Sequence, residues 1–377
     1  MNASPQLGRT FARVSLDAIR HNGQVCRKTY PGKKILCVLK ADAYGHGITG
    51  VMPAYETFSD YYAVATVEEG LLVRAQTQKP VLLFGPAPEG QMVLAAENKL
   101  TFTVGSREYA ARLAAKLEEA GLTADCHLKI ETGLNRSGVR WRDSETAMEA
   151  IRAIHAHKCL HFTGTYTHFA CGEGQLPWEL EFTALQYSRL TQAIAAMEAE
   201  GLPTGLRHCC STGGSLAHPE YQLDMVRLGM MPMGMSYSDE SVKELGLIPA
   251  MKWVSYITQI EDLPAGDAVS YGCLFRAEKP MRIGMITCGY ADGYRRAYSG
   301  KTHVLINGQK ARAIGRIAMD CMMLDLTDVD AKVGDEVILL GTDGVNTISA
   351  QELMQYGESV SGEVTAAISQ RVKRIYE

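Results

Sequence analysis

What the chain lacks narrows it quickly. No apolar run approaches the ~20 residues that cross a bilayer, and the opening MNASPQLGRT has no apolar core of a secretory signal. Positive charge is not in excess. Lys and Arg number 38 against 42 Asp and Glu, a net charge of −4, so neither nucleic acid nor an anionic membrane is an expected partner. None of the ten cysteines stands in a C-x-x-C pair and no histidine lies at zinc-site spacing, so neither a metal centre nor a disulfide framework is expected. Cysteines inside apolar runs such as ILCVLK and GMITCGY behave as small hydrophobes, and they suggest buried thiols in a reducing cytoplasm. Internal repeats and low-complexity linkers are also missing.

What is present is a 377-residue chain, 46% hydrophobic and 21% charged, long enough for two globular domains. Over residues 11–244 short apolar strands alternate with helical patterns. The strand candidates are KILCVL, YYAVAT, VLLFG, LTFTV, CHLKIE, HFTGTYTHF, GLRHCC and DMVRLG. Between them, Leu113 with Leu117, and Met148 with Ile151 and Ile154, recur at helical spacing. Eight such strands predict an α/β domain of the (β/α)8 TIM-barrel type, which typically takes ~250 residues. An open doubly wound sheet satisfies the same alternation. Residues 245–377 read instead as a mostly β domain, which residues 1–10 could join. Asn307-Gly308 marks a tight hairpin there, and SAQELMQY a short helix.

One segment stands out for chemistry. In ILCVLKADAYGHG an apolar run ends in Lys40, and a glycine-containing turn follows. A residue at the C-terminal end of a barrel strand points into the active-site mouth. Desolvation there lowers a lysine pKa and yields a nucleophilic amine, suited to imine formation with an aldehyde cofactor. On this segment alone a snorkelling strand-end lysine fits equally well.

KADAYGHG closely resembles the cofactor-lysine signature of the alanine racemase family, and the similarity runs from FARVSLDAIRHN to EVTAAISQRV. The resemblance implies pyridoxal 5′-phosphate as cofactor. It implies Lys40 as the lysine that carries the cofactor and as one of two catalytic bases, with Tyr44 donating to the phosphate. CHLKIETGLNRSGV matches the block whose lysine, here Lys129, is carbamylated and whose arginine, here Arg136, contacts the cofactor oxygen and the carbamate. A carbamate would turn a costly buried cation into an anion that pairs with Arg136. His168, in TYTHFA, is placed near the cofactor ring, relaying to Arg227. In HCCSTGGSLAHP the phosphate-binding hydroxyl falls on Thr212, with Ser211 adjacent, and Gly229 and Met230 lend backbone amides.

Arg227 lies inside the apolar strand DMVRLG, where an unpaired arginine is expensive. The resemblance makes it the partner of the pyridine nitrogen. A guanidinium donates a hydrogen bond there but keeps its proton. The ring nitrogen then stays unprotonated and the cofactor is a weaker electron sink, which suits a swap of one proton across two faces. In the second domain AVSYGCLFR, GYADGYRR and GRIAMDCMM match the family's blocks around Tyr271, Tyr290, Met319 and Asp320. The resemblance gives Tyr271 of the partner subunit of a homodimer as the second base, a role for which nearby cations such as Arg136 would have to favour the phenolate. A racemase needs a base on each face of Cα. Arg136, Tyr290, Met319, Asp320 and Gly362 are the expected substrate-side residues, and the substrate a small amino acid supplying D-amino acid for peptidoglycan.

Gly362 is also a departure: in SVSGEVTAAIS it replaces the tyrosine that precedes Glu-Val in the family and narrows its substrate pocket. Similar departures mark the racemase domains of membrane-anchored vancomycin-resistance serine racemases. The vacated space predicts that serine is racemised alongside, or in preference to, alanine. A second departure, Ala318 where relatives carry cysteine, predicts only a packing effect. Two rivals share parts of this pattern. A barrel-type pyridoxal-phosphate decarboxylase would place cysteine at Tyr271 and an acid at Arg227, and a non-catalytic pyridoxal-phosphate carrier would lack the second domain.

Overall fold

The computed structural model describes residues 9–377, so residues 1–8 of MNASPQLGRT lie outside the described residues. The chain divides into two compact units. One holds residues 22–43 and 52–232, and the other holds residues 9–21, 44–51 and 233–377.

In the first unit eight parallel strands run in the order Met225–Leu228, Lys34–Val38, Tyr61–Val64, Val81–Leu83, Leu100–Val104, Ala124–Glu131, Leu160–Tyr166 and Leu206–His208. Each overlaps one of the eight segments that the sequence marks as strand, Ala124–Glu131 and Leu160–Tyr166 starting one or two residues earlier. Asp224 N donates to Arg207 O at 3.0 Å and Arg227 N to Cys210 O at 3.1 Å. These bonds join the two ends of the path, so the sheet is a barrel and not an open doubly wound sheet. Burial explains its sequence: Leu100–Val104 is buried throughout, and Lys34–Val38 everywhere but at Lys34, as parallel strands covered on both faces require.

The helices between strands begin and end where their caps dictate. Ser106 Oγ accepts from Tyr109 N at the start of Arg107–Ala120, and left-handed Gly121 ends that helix. Leu113 and Leu117 are buried on it, as are Met148, Ile151 and Ile154 on Ser144–His155, which is what the three- and four-residue spacing predicts. Among the described residues no helix is long and apolar enough to cross a membrane.

The second unit is mostly β. The strand Met251–Leu263 is its spine, pairing with Thr10–Val14, Met281–Ile286 and Glu336–Asp343. Register shifts at Trp253/Val254 and Ile257/Gln259 let one strand serve three partners. Asn307 and Gly308, with φ of 50° and 77°, form the expected two-residue hairpin between His303–Ile306 and Gln309–Ile314. Ala350–Gly357 is the expected short helix. All ten cysteines are free thiols; Cys171 and Cys321 are only half-buried and Cys273 is exposed, whereas the rest are buried.

Wholly buried Asp292 anchors this unit. It pairs with Arg9, and with Arg371 at 3.5 Å, and its Oδ2 accepts from Gly289 N at 2.9 Å. Asp292→Ala leaves two cations and an amide without their acceptor, and should cost about 3–5 kcal/mol in chemical denaturation. Asp292→Asn, which keeps the bond to Gly289, should cost less. A loss below about 1 kcal/mol for the alanine variant would show that solvent satisfies the cations.

Candidate active site

Lys40 stands two residues beyond the strand Lys34–Val38. Its strand register is kept to the end by Leu39 N, which donates to Ala63 O at 2.8 Å. The four residues after it, Ala41, Asp42, Ala43 and Tyr44, have φ of 54°, 53°, 55° and 52°. Left-handed backbone costs an ordinary residue roughly 1–2 kcal/mol, so four in succession persist only if they are held. Asp42 N donates to Glu69 Oε1 at 3.3 Å and Ala43 N to Leu39 O at 2.8 Å. Glu69 is fixed in turn, since its Oε2 accepts from Ala65 N and Thr66 N as part of the capping box of Val67–Arg74. Lys40 keeps part of its surface exposed. Its pKa is lowered, first by the protein packed around the ammonium and then by cationic Arg136, against the pull of Glu69.

The turn continues into Gly45, which has φ of 81°. A Cβ at Gly45 would lie 2.1 Å from Thr365 O, so the helix Ser361–Ala366, which carries buried Gly362, rests directly on this glycine. Arg374 Nε donates to Gly45 O at 2.8 Å. Burial pushes the Tyr44 phenol up to about 12, so its hydroxyl keeps its proton and serves as a donor.

Strand Ala124–Glu131 delivers the next group. Lys129 is buried, donates to Ser137 Oγ at 2.7 Å, and has its pKa lowered to about 8 by burial and then by Arg136 and Arg227, opposed by Glu131. Glu131 holds the loop that bears Arg136: its carboxylate accepts from Gly133 N at 2.6 Å and from Arg136 N at 3.1 Å. Lys129 Nζ and the Arg227 guanidinium lie 5.7 Å and 5.5 Å from the centre of the Tyr166 ring.

Arg227 is buried on strand Met225–Leu228. Its Nη1 meets His208 Nδ1 at 3.1 Å, and its Nη2 meets His168 Nδ1 at 3.0 Å and Cys209 O at 2.8 Å. These bonds fix the plane of the guanidinium and leave Nε and the second Nη1 hydrogen for a ligand. His168 has its pKa lowered to about 3, by burial first and then by Arg227, Arg136, Lys129 and Lys40. One histidine therefore feels the four cations that the sequence singled out in this barrel.

Ser211 and Thr212 open the helix Thr212–Ala217. Ser211 is its N-cap, accepting from Gly214 N, while Thr212 Oγ1 accepts from Gly229 N at 3.2 Å. Ser211 is thus engaged in capping, and Thr212 is the hydroxyl tied to the Gly229–Met230 backbone.

The second unit gathers its own expected residues. Tyr290 N donates to Ala318 O at 3.0 Å and Ala291 N to Met319 O at 2.9 Å, so the loops bearing Tyr290, Met319 and Asp320 lie backbone against backbone. Ser270 Oγ donates to Arg316 O at 2.6 Å, which fastens the Tyr271 turn to the same loop. Tyr271, Leu274, Tyr290 and Met319 all project to solvent, Tyr271 with 68% of its surface exposed.

Comparison with known proteins fits this geometry. Residues 14–237 match the alanine racemase N-terminal domain and residues 250–376 its C-terminal domain. The chain belongs to the alanine racemase family. It is 35% identical to the alanine racemase of Desulfovibrio desulfuricans over 97% of each chain. It is 33% identical to that of Methanococcus maripaludis, covering 97% of this chain and 98% of the relative. Among solved structures it is similar to the alanine racemase of D-cycloserine-producing Streptomyces lavendulae, with a TM-score of 0.91 at 32% identity over 100% of this chain and 98% of that one. The alanine racemase of Bacillus anthracis with bound L-Ala-P also gives 0.91, at 29% identity over 99% and 96% of the two chains.

Sequence reasoning missed several residues that hold these side chains together. Gln186, buried on Pro177–Ala199, receives Ala170 N at 2.8 Å and donates to His168 O at 3.3 Å. The sequence assigned no role to His208 or His127. Their one signal was polarity inside apolar strands. Both are neutral: burial and then Arg227 lower His127 to about 3 and His208 well below its ordinary value. Below the unfolded histidine pKa of ~6.5 the unfolded chain gains protons at these two positions and the folded chain does not. Between pH 7 and 5 they should therefore remove about 4 kcal/mol of stability, all of it present above that range. His168, lowered to about 3 by the same causes, adds a like amount, so unfolding free energies at the two pH values should differ by about 2 kcal/mol less in His127→Gln than in wild type. An unchanged pH dependence in the variant would contradict the assignment.

Proposed function

We propose that this chain interconverts L- and D-alanine with pyridoxal 5′-phosphate held by Lys40, working as a cytoplasmic homodimer, and that it also accepts serine. The observation that carries the reading is buried Arg227, three acceptors around it and two N–H groups still free to donate. The residues present fit the cofactor. A desolvated amine, a donor-only cation for a ring nitrogen, and a hydroxyl and backbone amides for a phosphate all come from the C-terminal ends of barrel strands, where such sites form.

When bound, pyridoxal phosphate supplies an aldehyde for the substrate amine and an electron-withdrawing ring that acidifies the Cα proton. Lys40, with its lowered pKa, takes or returns that proton on one face. Tyr271 of the partner subunit does so on the other. Exposed Tyr271, Leu274, Tyr290 and Met319 support the dimer, since a second copy would cover them. Arg227 cannot release its proton, so it would offer a ring nitrogen a hydrogen-bond donor and no proton. That favours reprotonation over decarboxylation. Thr212, Tyr44 and the Gly229–Met230 backbone would hold the phosphate, with Gly229 N exchanging its bond to Thr212 Oγ1 for a phosphate oxygen. Lys129, with its pKa lowered to about 8, is still mostly protonated at pH 7 but has about a tenth of its population as the free amine, far more than an ordinary lysine. It can add to carbon dioxide, releasing one proton and leaving a carbamate to pair with Arg136.

The serine reading rests on Gly362, where the family tyrosine is missing. Purified holoenzyme should lose optical activity from L-alanine and L-serine with efficiencies within about a hundred-fold of each other. Lys40→Ala should lose both activities along with the borohydride-quenchable visible absorbance, and Gly362→Tyr should shift preference toward alanine. A serine efficiency more than about a hundred-fold below alanine would remove the serine claim. Cofactor absorbance without racemisation would remove the whole proposal and leave a carrier.

A further inference from the structure

Behind Arg227 lies a second histidine that the proposed chemistry does not use. His127 Nδ1 is 3.0 Å from His208 Nε2, with the two rings edge to face at 62°. His208 is stacked on Tyr166 at 4.7 Å and 4°, which prevents it from turning. The far nitrogen, His127 Nε2, is buried and meets no hydrogen-bond partner. Room for this ring exists only because the facing residue is glycine: a Cβ at Gly164 would lie 2.6 Å from His127 Nε2.

Proton positions along the row follow from one fact. A guanidinium has donors and no acceptor, so His208 Nδ1, facing Arg227 Nη1 at 3.1 Å, must present a lone pair. The His208 proton is then on Nε2 and donates to His127 Nδ1. The His127 proton is consequently on Nε2, the atom without a partner. The opposite arrangement would set His208 Nδ1–H against an arginine N–H. We propose that His127 is a positioning residue for the reaction: by accepting from His208 Nε2–H it locks His208 in the tautomer whose lone pair holds Arg227 in place. The unpartnered donor is the far end of this row, buried where no change in solvent pH readily reverses it.

The catalytic consequence rests on the proposed racemase function, but the tautomers do not. Nitrogen-15 spectra of histidine-labelled protein, taken without substrate, should show both His127 and His208 protonated at Nε2 and bare at Nδ1. A His208 proton on Nδ1 in the wild-type protein would overturn the proposal, whatever the enzyme does. In holoenzyme, His127→Leu should mix the His208 tautomers and lower kcat about ten-fold or more with little change in KM. His127→Asn places Oδ1 where Nδ1 stood, and should restore the single tautomer and bring kcat to within about three-fold of wild type. Equal loss in both variants, or a folded His127→Leu enzyme with wild-type tautomer and kcat, would reduce His127 to packing. If His127→Leu does not fold, the wild-type spectrum and His127→Asn still decide.

Discussion

The structure of the barrel mouth depends on a cation that can neither leave nor be neutralised. Arg227 is buried in a parallel strand, where an unpaired guanidinium is costly. Everything around it answers that cost with acceptors and a ring face. His208, His168 and the Cys209 carbonyl take hydrogen bonds, and Tyr166 offers its π face at 5.5 Å. Both histidines are kept neutral by burial and by the same cation, so the cluster carries its positive charge on the one group with no proton to give. Lys129 extends the field and is itself driven toward the neutral amine.

Around this fixed charge the barrel concentrates strained backbone at its C-terminal ends. The left-handed turn after Lys40 is held by Glu69, a residue whose first task is to cap a helix. The loop after Lys129 is held by Glu131, and the loop after strand Leu160–Tyr166 by Gln186. A rigid strand thus aims each functional side chain, while a single polar side chain from the scaffold fixes the loop that follows. In the second unit Asp292 does the same for the Tyr290 loop.

Much of this was legible in the sequence. Parallel strands buried on both faces read as apolar runs, so all eight barrel strands appeared, and Asn307-Gly308 announced its hairpin. Lys40 and Arg227 were visible because a charge within or beside an apolar run contradicts its surroundings. What stayed hidden has a common cause: it depends on partners distant in sequence. Ala41–Tyr44 contains no glycine, so nothing local announces left-handed backbone, and its support comes from Glu69 on another helix. A histidine in a strand looks the same whether it packs or relays, and only the approach of Arg227, His208 and His127 across three strands separates the two. Residues 245–377 read as mostly β, but the pairing of Met251–Leu263 with three strands did not show, because bulges leave little trace in composition.

The central claim is that Arg227 keeps a proton off the cofactor ring and so selects proton exchange at Cα over bond cleavage to carbon dioxide. The direct measurement is the nitrogen-15 resonance of holoenzyme loaded with ring-labelled pyridoxal phosphate, followed from pH 6 to 9. The account predicts an unprotonated, hydrogen-bond-accepting nitrogen throughout that range. A protonated pyridinium resonance at neutral pH would contradict it.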